Sequence, residues 1–305
     1  MRILVTGSSG MVGTALVRSC TASGDDVVRL VRERPRPDAK NEVYWSPSEG
    51  EIDVASLGHI DAAVHLAGAS IAGGRWTRSR KALIRNSRVN GTRLISQTLA
   101  NMDPRPGVLV SPSAAEYYGD RGNEPLTEES ERGEGFLPEV AELWETSAQP
   151  ARDAGIRVVH TRFGLILDSS GGALAKMQLP FKTGLGAKMG GGRQWWPWIA
   201  LDDVVGVIRF AITNGSLEGP VNTVAPGLVR NAQFTEALAR ALSRPAFLSA
   251  PGFVLKLAMG QMAEEILLSS QRVLPDKLEE AGYEFLYPQL DAALEHVLRR
   301  RDEDA

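Results

Sequence analysis

Short apolar runs alternate with longer segments that carry one apolar face over the first two-thirds of the chain. The runs are apolar on both faces, which is typical of strands in a parallel sheet that is covered by helices on both sides. The predicted strands cover residues 3–6, 27–31, 61–66, 107–111 and 156–162. The predicted helices cover residues 11–22, 77–99 and 138–154. This alternation predicts an α/β fold built on a doubly wound parallel sheet.

The pattern changes after Gly164. Residues 171–193 are rich in glycine, which predicts loops around a cleft rather than regular structure. A helix over 202–213 and a strand over 219–224 follow, and the chain from residue 231 onward is mostly helical with interrupting prolines. We therefore expect a smaller, mostly helical C-terminal lobe beside the sheet.

Charge and composition exclude several classes of partner. The net charge is -3 and both signs are interspersed, so we expect no nucleic-acid partner and no membrane partner. The chain has one cysteine, Cys20, which excludes an intrachain disulfide, and its four histidines lack ligand spacing, so we expect no metal. No signal-peptide pattern and no apolar run of ~20 residues is present. These features predict a cytoplasmic protein.

A glycine-rich turn directly follows the first predicted strand and opens the first predicted helix. Its glycines, Gly7, Gly10 and Gly13, would permit a tight turn, close approach of a pyrophosphate, and close packing of helix on strand. Unpaired N–H groups and the helix dipole at that point favour a negatively charged group. The sequence therefore predicts a dinucleotide-binding Rossmann domain. The predicted contacts are Gly7, Ser9, Gly10, Met11 and Val12.

The end of the second strand indicates which dinucleotide binds. Proteins that bind NAD usually place an acidic residue there for the ribose hydroxyl, but this chain has Arg32, followed by Arg34 and Arg36. An arginine suits the 2′-phosphate of NADP because its guanidinium can make two parallel hydrogen bonds. A solvated basic turn is the alternative. The absent acid and the present base together predict NADP (NADPH).

Two further segments are predicted to contact the cofactor. Leu66 ends the strand over 61–66, and with Ala67 and Gly68 it allows close approach to the adenine ribose and pyrophosphate. Arg88 on the next helix either reaches into the cleft or lies on the surface. We therefore expect residues 1–165, completed by about 198–225, to form the NADP-binding domain. Residues 166–197 and 226–305 would form the substrate lobe.

Together these segments resemble the nucleoside-diphosphate-sugar epimerase-like family of atypical extended short-chain dehydrogenases/reductases. The resemblance covers nearly the whole chain. Its remaining matches are His65, Arg75-Trp76, Ser87, Ser111-Pro-Ser113-Ala114, Tyr117-Tyr118-Gly119-Asp120, Arg162-Phe163-Gly164, Gly192-Arg193-Gln194, Trp198 with Asp202-Asp203, Pro226, Arg230-Asn231, Gln271-Arg272-Val273-Leu274-Pro275 and Gly282-Tyr283. It implies a Rossmann core that binds NADP and a C-terminal lobe that closes over a substrate.

The chain departs from this family at the catalytic residues. Active extended members carry a tyrosine that transfers a proton and, four residues later, a lysine that holds the ribose and lowers the tyrosine pKa. Aligning the helix on Trp144 and Glu145 puts Leu137 and Ala141 at those two positions. No Tyr-x-x-x-Lys occurs anywhere in the sequence.

A substitute mechanism would use Ser113 and Tyr117, which we take as the catalytic candidates. Tyr117 would transfer the proton while Ser113 polarises the substrate oxygen. Alternatively, the tyrosines line the pocket without titrating, because a tyrosine without a cationic neighbour has a pKa near 10. Candidates for substrate binding are Tyr118, Arg193 and Trp198, since Trp and Arg together can stack on a sugar or base and pair with a phosphate. At least two of Trp195, Trp196 and Trp198 are expected in the core.

Three functions remain open. The first is an NADP-dependent oxidoreductase or epimerase that acts on a small polar, sugar-like substrate with a non-standard acid. The second is a catalytically silent NADP-binding regulatory or sensor protein. The third, a nucleotide-sugar epimerase of ordinary mechanism, is weakened by Leu137 and Ala141. A homodimer is expected by analogy with the fold alone.

Overall fold

The computed structural model describes residues 1–36 and 38–303. Its strands are β1 (Arg2–Thr6), β2 (Asp26–Val31), β3 (Glu42–Ser46), β4 (Glu51–Ile52), β5 (Ala62–His65), β6 (Val108–Ala114), β7 (Pro125–Leu126), β8 (Arg157–Phe163), β9 (Leu165–Leu167), β10 (Ala187–Met189), β11 (Trp198–Ala200), β12 (Gly219–Thr223), β13 (Leu248–Ala250) and β14 (Arg272–Val273). Its helices are α1 (Met11–Ala22), α2 (Arg78–Ala100), α3 (Phe136–Thr146), α4 (Gln149–Asp153), α5 (Gly172–Lys182), α6 (Leu201–Thr213), α7 (Asn231–Ala241), α8 (Gly252–Met259), α9 (Asp276–Glu280) and α10 (Leu290–Glu303).

Eight strands form one sheet in the order β12-β8-β6-β5-β1-β2-β3-β4. Strand β1 pairs in parallel with β2 on one side and with β5 on the other. The pairs β2–β3 and β5–β6 are also parallel, whereas β3–β4 is antiparallel. From β1 the chain winds outward through β2 and β3, then returns to the other side of β1 with β5. This reversal confirms the predicted doubly wound sheet, and ligands of such sheets bind where the strand order reverses.

Two predicted segments differ from the structure. The glycine-rich stretch 171–193 was expected to form loops, but it contains helix α5 and strand β10. The glycines lie before, at the start of and after α5 and after β10, while Leu174, Gln178 and Phe181 bury one helical face. The helix expected over 138–154 is two helices, α3 and α4, because Pro150 lies in the first turn of α4, where its missing N–H costs nothing.

The chain forms two compact units. The first contains Met1–Ser113, Glu142–Thr161 and Val205–Val221, and the second contains Ala114–Ala141, Arg162–Val204 and residues 222 onward. Each unit has its own apolar core. Leu4, Val28, Leu30, Trp45 and Leu109 belong to the first core. Trp198, Phe234, Leu238 and Leu294 belong to the second.

The second unit also contains short strands that the sequence analysis did not predict. Besides its helices it contains three two-stranded parallel sheets, β10–β13, β9–β11 and β7–β14. These strands have two or three residues each, so their patterns are too short to distinguish from loops by sequence alone. Residues 304–305, which the predicted lobe includes, lie outside the described residues. Within the described part of the chain, no helix has the length and apolar character needed to span a bilayer.

Candidate functional site

The predicted cofactor turn lies at the point where the strand order reverses, between β1 and α1. Gly7 has φ +66°, and a Cβ on it would lie 2.7 Å from the carbonyl carbon of Leu66. A Cβ on Gly13 would overlap the carbonyl oxygen of Gly7. The turn is closed by a hydrogen bond of 3.0 Å from the Gly10 N–H to the Gly7 oxygen. Glycine is therefore required at Gly7 and Gly13, as predicted for close helix–strand packing.

The start of helix α1 presents backbone donors. Gly10 is the N-cap, no side chain caps the helix, and Thr14 is the first residue whose N–H returns to the Gly10 oxygen. Among the described residues, the N–H groups of Met11 and Val12 therefore have no protein acceptor. Ser9 and Gly10 are exposed at the same turn. Free N–H groups and the helix dipole fit the pyrophosphate of a dinucleotide.

The other predicted cofactor residues follow the ends of β2 and β5, the strands on either side of β1. Strand register pairs Thr6 with Leu30 on one side and with His65 on the other. Arg32 follows the end of β2 and is exposed, with no hydrogen bond to a described residue. Leu66, Ala67 and Gly68 follow the end of β5. The glycine turn thus lies between Arg32 and the Leu66–Gly68 segment.

The Thr6 hydroxyl contacts the residues at and after the end of β5. Its oxygen accepts the N–H of Leu66 at 3.0 Å and of Ala67 at 3.1 Å. It also lies 2.8 Å from Nδ1 of His65. The His65 ring is fully buried, and this burial lowers its pKa to about 4. Burial therefore favours the neutral form of His65, and its contact with Thr6 gives it a structural role.

Arg88 supports the segment after β5. Its guanidinium donates to the carbonyl oxygen of Ala69 at 2.9 Å and to that of Ile84 at 3.0 Å. Its carbon Cζ lies 4.8 Å from the centre of the Trp144 ring. These contacts fix the backbone beside Gly68. Direct contact of Arg88 with the cofactor stays a prediction.

Ser113 has a partner that sequence reasoning missed. Its hydroxyl donates to Oε1 of Glu145 at 2.6 Å, and the Ser113 side chain is almost completely buried. Glu145 lies on α3 one turn after Ala141. The positions expected for tyrosine and lysine hold the buried apolar residues Leu137 and Ala141. The only available signal for Glu145 was its Trp144-Glu145 motif, which served to align the helix.

Tyr117 and Tyr118 both lie against Arg162 but differ in burial. The Cζ atom of Arg162 lies 3.5 Å from the Tyr117 ring centre, and Arg162 donates to the Tyr118 hydroxyl at 2.9 Å. Tyr118 is 0% exposed and donates to Oδ1 of Asn222 at 2.6 Å. Burial raises the pKa of Tyr118 to about 12. Tyr118 is thus buried and hydrogen-bonded to other side chains. Tyr117, in contrast, is half-buried, and the Arg162 guanidinium lies against its ring.

The three tryptophans between residues 195 and 198 also differ in burial. Trp196 and Trp198 are buried, and Nε1 of Trp198 donates to the Gly227 oxygen at 2.7 Å. This confirms the expectation that at least two of the three tryptophans are in the core. Trp195 is half-buried, and Arg193 is exposed. Substrate contacts of Tyr118, Arg193 and Trp198 stay predictions, although Tyr118 and Trp198 have almost no accessible surface.

Comparison with known proteins decides the family. A model described as NAD dependent epimerase/dehydratase family matches residues 3–139, and one described as a domain of unknown function (DUF1731) matches residues 250–297. An epimerase family protein of Mycobacterium bovis is 39% identical over 298 residues, 98% of each chain. The chain belongs to the epimerase family. Epimerase family protein YfhF of Bacillus subtilis is 38% identical over 304 residues, 99% of each chain.

A solved structure agrees with this assignment. The crystal structure of human epimerase family protein SDR39U1 (isoform 2) with NADPH matches with a TM-score of 0.89 and 31% identity. The match covers 98% of this chain and 99% of the human chain. The predicted family resemblance and Rossmann fold class are confirmed. The human relative was crystallised with NADPH, and the matching family model is described as NAD dependent, which agrees with the predicted class of cofactor.

Burial of His65 predicts a specific acid sensitivity. Its folded pKa of about 4 lies below the usual 6.5, so the unfolded chain binds more protons between these values. The contribution of the neutral ring is complete above pH 6.5 and is lost as the pH falls toward 4. At pH 5 this costs about 2 kcal/mol of unfolding free energy.

Urea unfolding of wild type and His65→Gln at pH 7 and pH 5 measures this cost. We expect the wild type to lose about 2 kcal/mol more than the variant between the two pH values. An equal loss of unfolding free energy in both proteins would show that His65 is not a buried neutral group at the end of β5.

Proposed function

We propose that the protein is an NADP-dependent oxidoreductase or epimerase that acts on a small polar, sugar-like substrate in the cytoplasm. The observation that carries this proposal is the glycine turn at the strand reversal, whose unpaired N–H groups at Met11 and Val12 suit a pyrophosphate. In this proposal the first unit binds the cofactor and the second unit binds the substrate. The bound nicotinamide would supply or accept a hydride.

Arg32 supports NADP rather than NAD. It is exposed at the end of β2, beside the glycine turn, where an acidic residue would otherwise hold the ribose hydroxyl. A guanidinium at this position can bind a 2′-phosphate with two charge-assisted hydrogen bonds. The human relative crystallised with NADPH is consistent with this preference.

The Ser113–Glu145 pair suits a substrate hydroxyl. A serine hydroxyl has one proton, and in this structure Glu145 accepts it at 2.6 Å. The Ser113 oxygen is then left as an acceptor, which can bind a hydroxyl donor but cannot polarise a carbonyl. We therefore propose that Ser113 orients a substrate hydroxyl and that Glu145 holds Ser113 in that role.

Tyr117 remains the proposed proton-transfer group. The Arg162 guanidinium lies against its ring, with Cζ 3.5 Å from the ring centre. In contrast to Tyr118, Tyr117 is only half-buried, so a substrate can reach it. This proposal assigns proton transfer to Tyr117 and the positioning of its ring to Arg162.

A sensor function is the second candidate, and the apolar pair Leu137 and Ala141 favours it. Both side chains are buried, at 6% and 2% exposure, and neither can transfer a proton. Such a protein would bind NADPH tightly and respond to its redox state without turning over a substrate.

One test of this proposal concerns which nicotinamide cofactor the protein prefers. Arg32→Ala is expected to weaken NADPH binding about 10- to 100-fold, because it removes a charge-assisted hydrogen bond to phosphate, and to leave NADH binding unchanged. Titration with both nucleotides, followed by nicotinamide fluorescence, measures this. Arg18→Ala, an exposed arginine on α1, is the matched control and should behave as wild type. Equal binding of NADPH and NADH by the wild type would refute the NADP assignment.

Another test of this proposal concerns catalysis. Purified protein is incubated with NADP⁺ and a panel of small sugars and polyols. Nicotinamide absorbance measures net oxidation, and proton NMR of the sugar measures epimerisation, which leaves the cofactor unchanged overall. Ser113→Ala and Tyr117→Phe should each lower turnover about 100-fold while NADPH affinity is kept. Ser96→Ala, another buried serine, should leave turnover unchanged. Unchanged turnover in Tyr117→Phe would exclude proton transfer by Tyr117. Tight NADPH binding by the wild type, without turnover of any compound in the panel, would favour the sensor function.

A further inference from the structure

Helix α8 exposes an apolar face in the second unit. It covers Gly252–Met259, its one charged residue is Lys256, and none of its residues is buried. Phe253 is 73% exposed, and Leu257, one turn later, is 78% exposed. Residues four apart lie on the same side of a helix, so these two side chains form one face with the exposed Val254 beside them.

The segment before α8 extends this apolar surface. Strand β13 ends at Ala250, two residues before the start of α8. Phe247 is 92% exposed, and Leu248, the first residue of β13, is also exposed. Among the described strands, β13 pairs with β10 alone, so one of its edges has no strand partner. We call the exposed apolar side chains of this segment the α8 patch, which consists of Phe247, Leu248, Phe253, Val254 and Leu257.

The exposure of the α8 patch leaves a short helix without its usual stabilisation. Isolated helices shorter than ~12–15 residues are marginal in water, and most helical stability in proteins comes from packing of an apolar face. The least exposed apolar side chains of α8, Leu255 and Met259, are only half-buried. Lys256 pairs with Glu264 at 2.8 Å, but both side chains are about half exposed, so this pair adds little. A further surface packed on the patch would supply the missing stabilisation.

The area of the α8 patch matches what a stable dimer needs. An aromatic side chain has about 150–250 Å² of surface, and with the exposed fractions of its five side chains the patch presents roughly 600 Å². A standard interface buries about 800 Å² on each partner, and a homodimer interface is about 65% apolar, which corresponds to about 500 Å² of apolar surface. The patch therefore supplies the apolar part of such an interface by itself.

The charge of the α8 patch favours a second copy of the chain as its partner. In a two-fold symmetric interface a patch faces itself, so a net charge on it would meet the same charge. The five side chains of the patch are uncharged, and the neighbouring Lys256 is paired with Glu264. Helices that lie on a membrane surface carry a polar face rich in lysine and arginine, and α8 has a single lysine.

We propose that the α8 patch is a homodimer interface, in which α8 and β13 of one copy pack on α8 and β13 of a second copy across a two-fold axis. Phe247, Phe253 and Leu257, the most exposed members, would form its centre, since exposed aromatic side chains are enriched in interface cores. The patch contains none of the residues assigned to the cofactor or to catalysis. The proposal therefore does not rest on the proposed function.

Sedimentation velocity of the full chain at increasing protein concentration tests the interface. We expect the wild type to have twice the chain mass of 32.9 kDa. The double variant Phe253→Glu/Leu257→Glu should weaken the dimer at least 100-fold, because carboxylates of the two copies would then face each other. Phe253→Ala/Leu257→Ala should weaken it at least tenfold. Leu83→Glu on α2 and Leu143→Glu on α3, which also replace exposed leucines, are the matched controls and should keep the wild-type mass.

Thermal unfolding of each variant checks that it is folded, and the alanine double variant replaces the glutamate one if that unfolds. A monomeric wild type at every concentration, or a dimer that neither double variant weakens, would overturn the proposal. Dissociation by Leu83→Glu or Leu143→Glu would place the interface on α2 or α3 and would also overturn it.

Vesicles of phosphatidylcholine and phosphatidylserine test the other possible occupant of the α8 patch. We expect the wild-type dimer not to sediment with these vesicles, because its patch is covered by the second copy. Sedimentation of a monomeric wild type with the vesicles, lost in Phe253→Glu/Leu257→Glu, would assign the patch to a membrane surface and overturn the dimer.

Discussion

The close approach of Gly13 to the carbonyl oxygen of Gly7 is the constraint on which the cofactor site depends. No side chain fits between them, so helix α1 begins directly against the end of β1. This contact aims the first N–H groups of α1 at the point where the strand order reverses. The neighbouring strand ends then bring Arg32 to one side and Leu66 to the other. The suitability of the turn for an anion would follow from backbone geometry rather than from any charged side chain at the turn itself.

The parts of the molecule that are local in sequence could be predicted from it. The glycine turn, Arg32 and the Leu66–Gly68 segment are each defined by a strand end and the residues after it. Helix α1 has the predicted bounds because its buried residues Gly13, Leu16 and Cys20 repeat at helical spacing. Helix α5 was missed because its flanking glycines masked the buried face formed by Leu174, Gln178 and Phe181.

Contacts between distant residues could not be predicted. Ser113 and Glu145 are 32 positions apart, and Tyr118 meets Asn222 across 104 positions. Tyr118 and Trp198 are buried, and their polar atoms bind other protein groups. The half-buried residues Tyr117 and Trp195, each next to an arginine, have accessible surface instead. These arginine–aromatic pairs of the second unit form only in the folded chain.

The measurement that most directly tests the role of the glycine contact is NADPH binding by Gly13→Ala. The added methyl group would overlap the Gly7 oxygen and push α1 away from the turn, at a cost of about 1–3 kcal/mol. Gly107→Ala is the control, since a Cβ there would lie 3.8 Å from the Asp61 oxygen, an ordinary contact. We predict at least tenfold weaker NADPH binding for Gly13→Ala and wild-type binding for Gly107→Ala. Wild-type affinity in a folded Gly13→Ala protein would contradict the account.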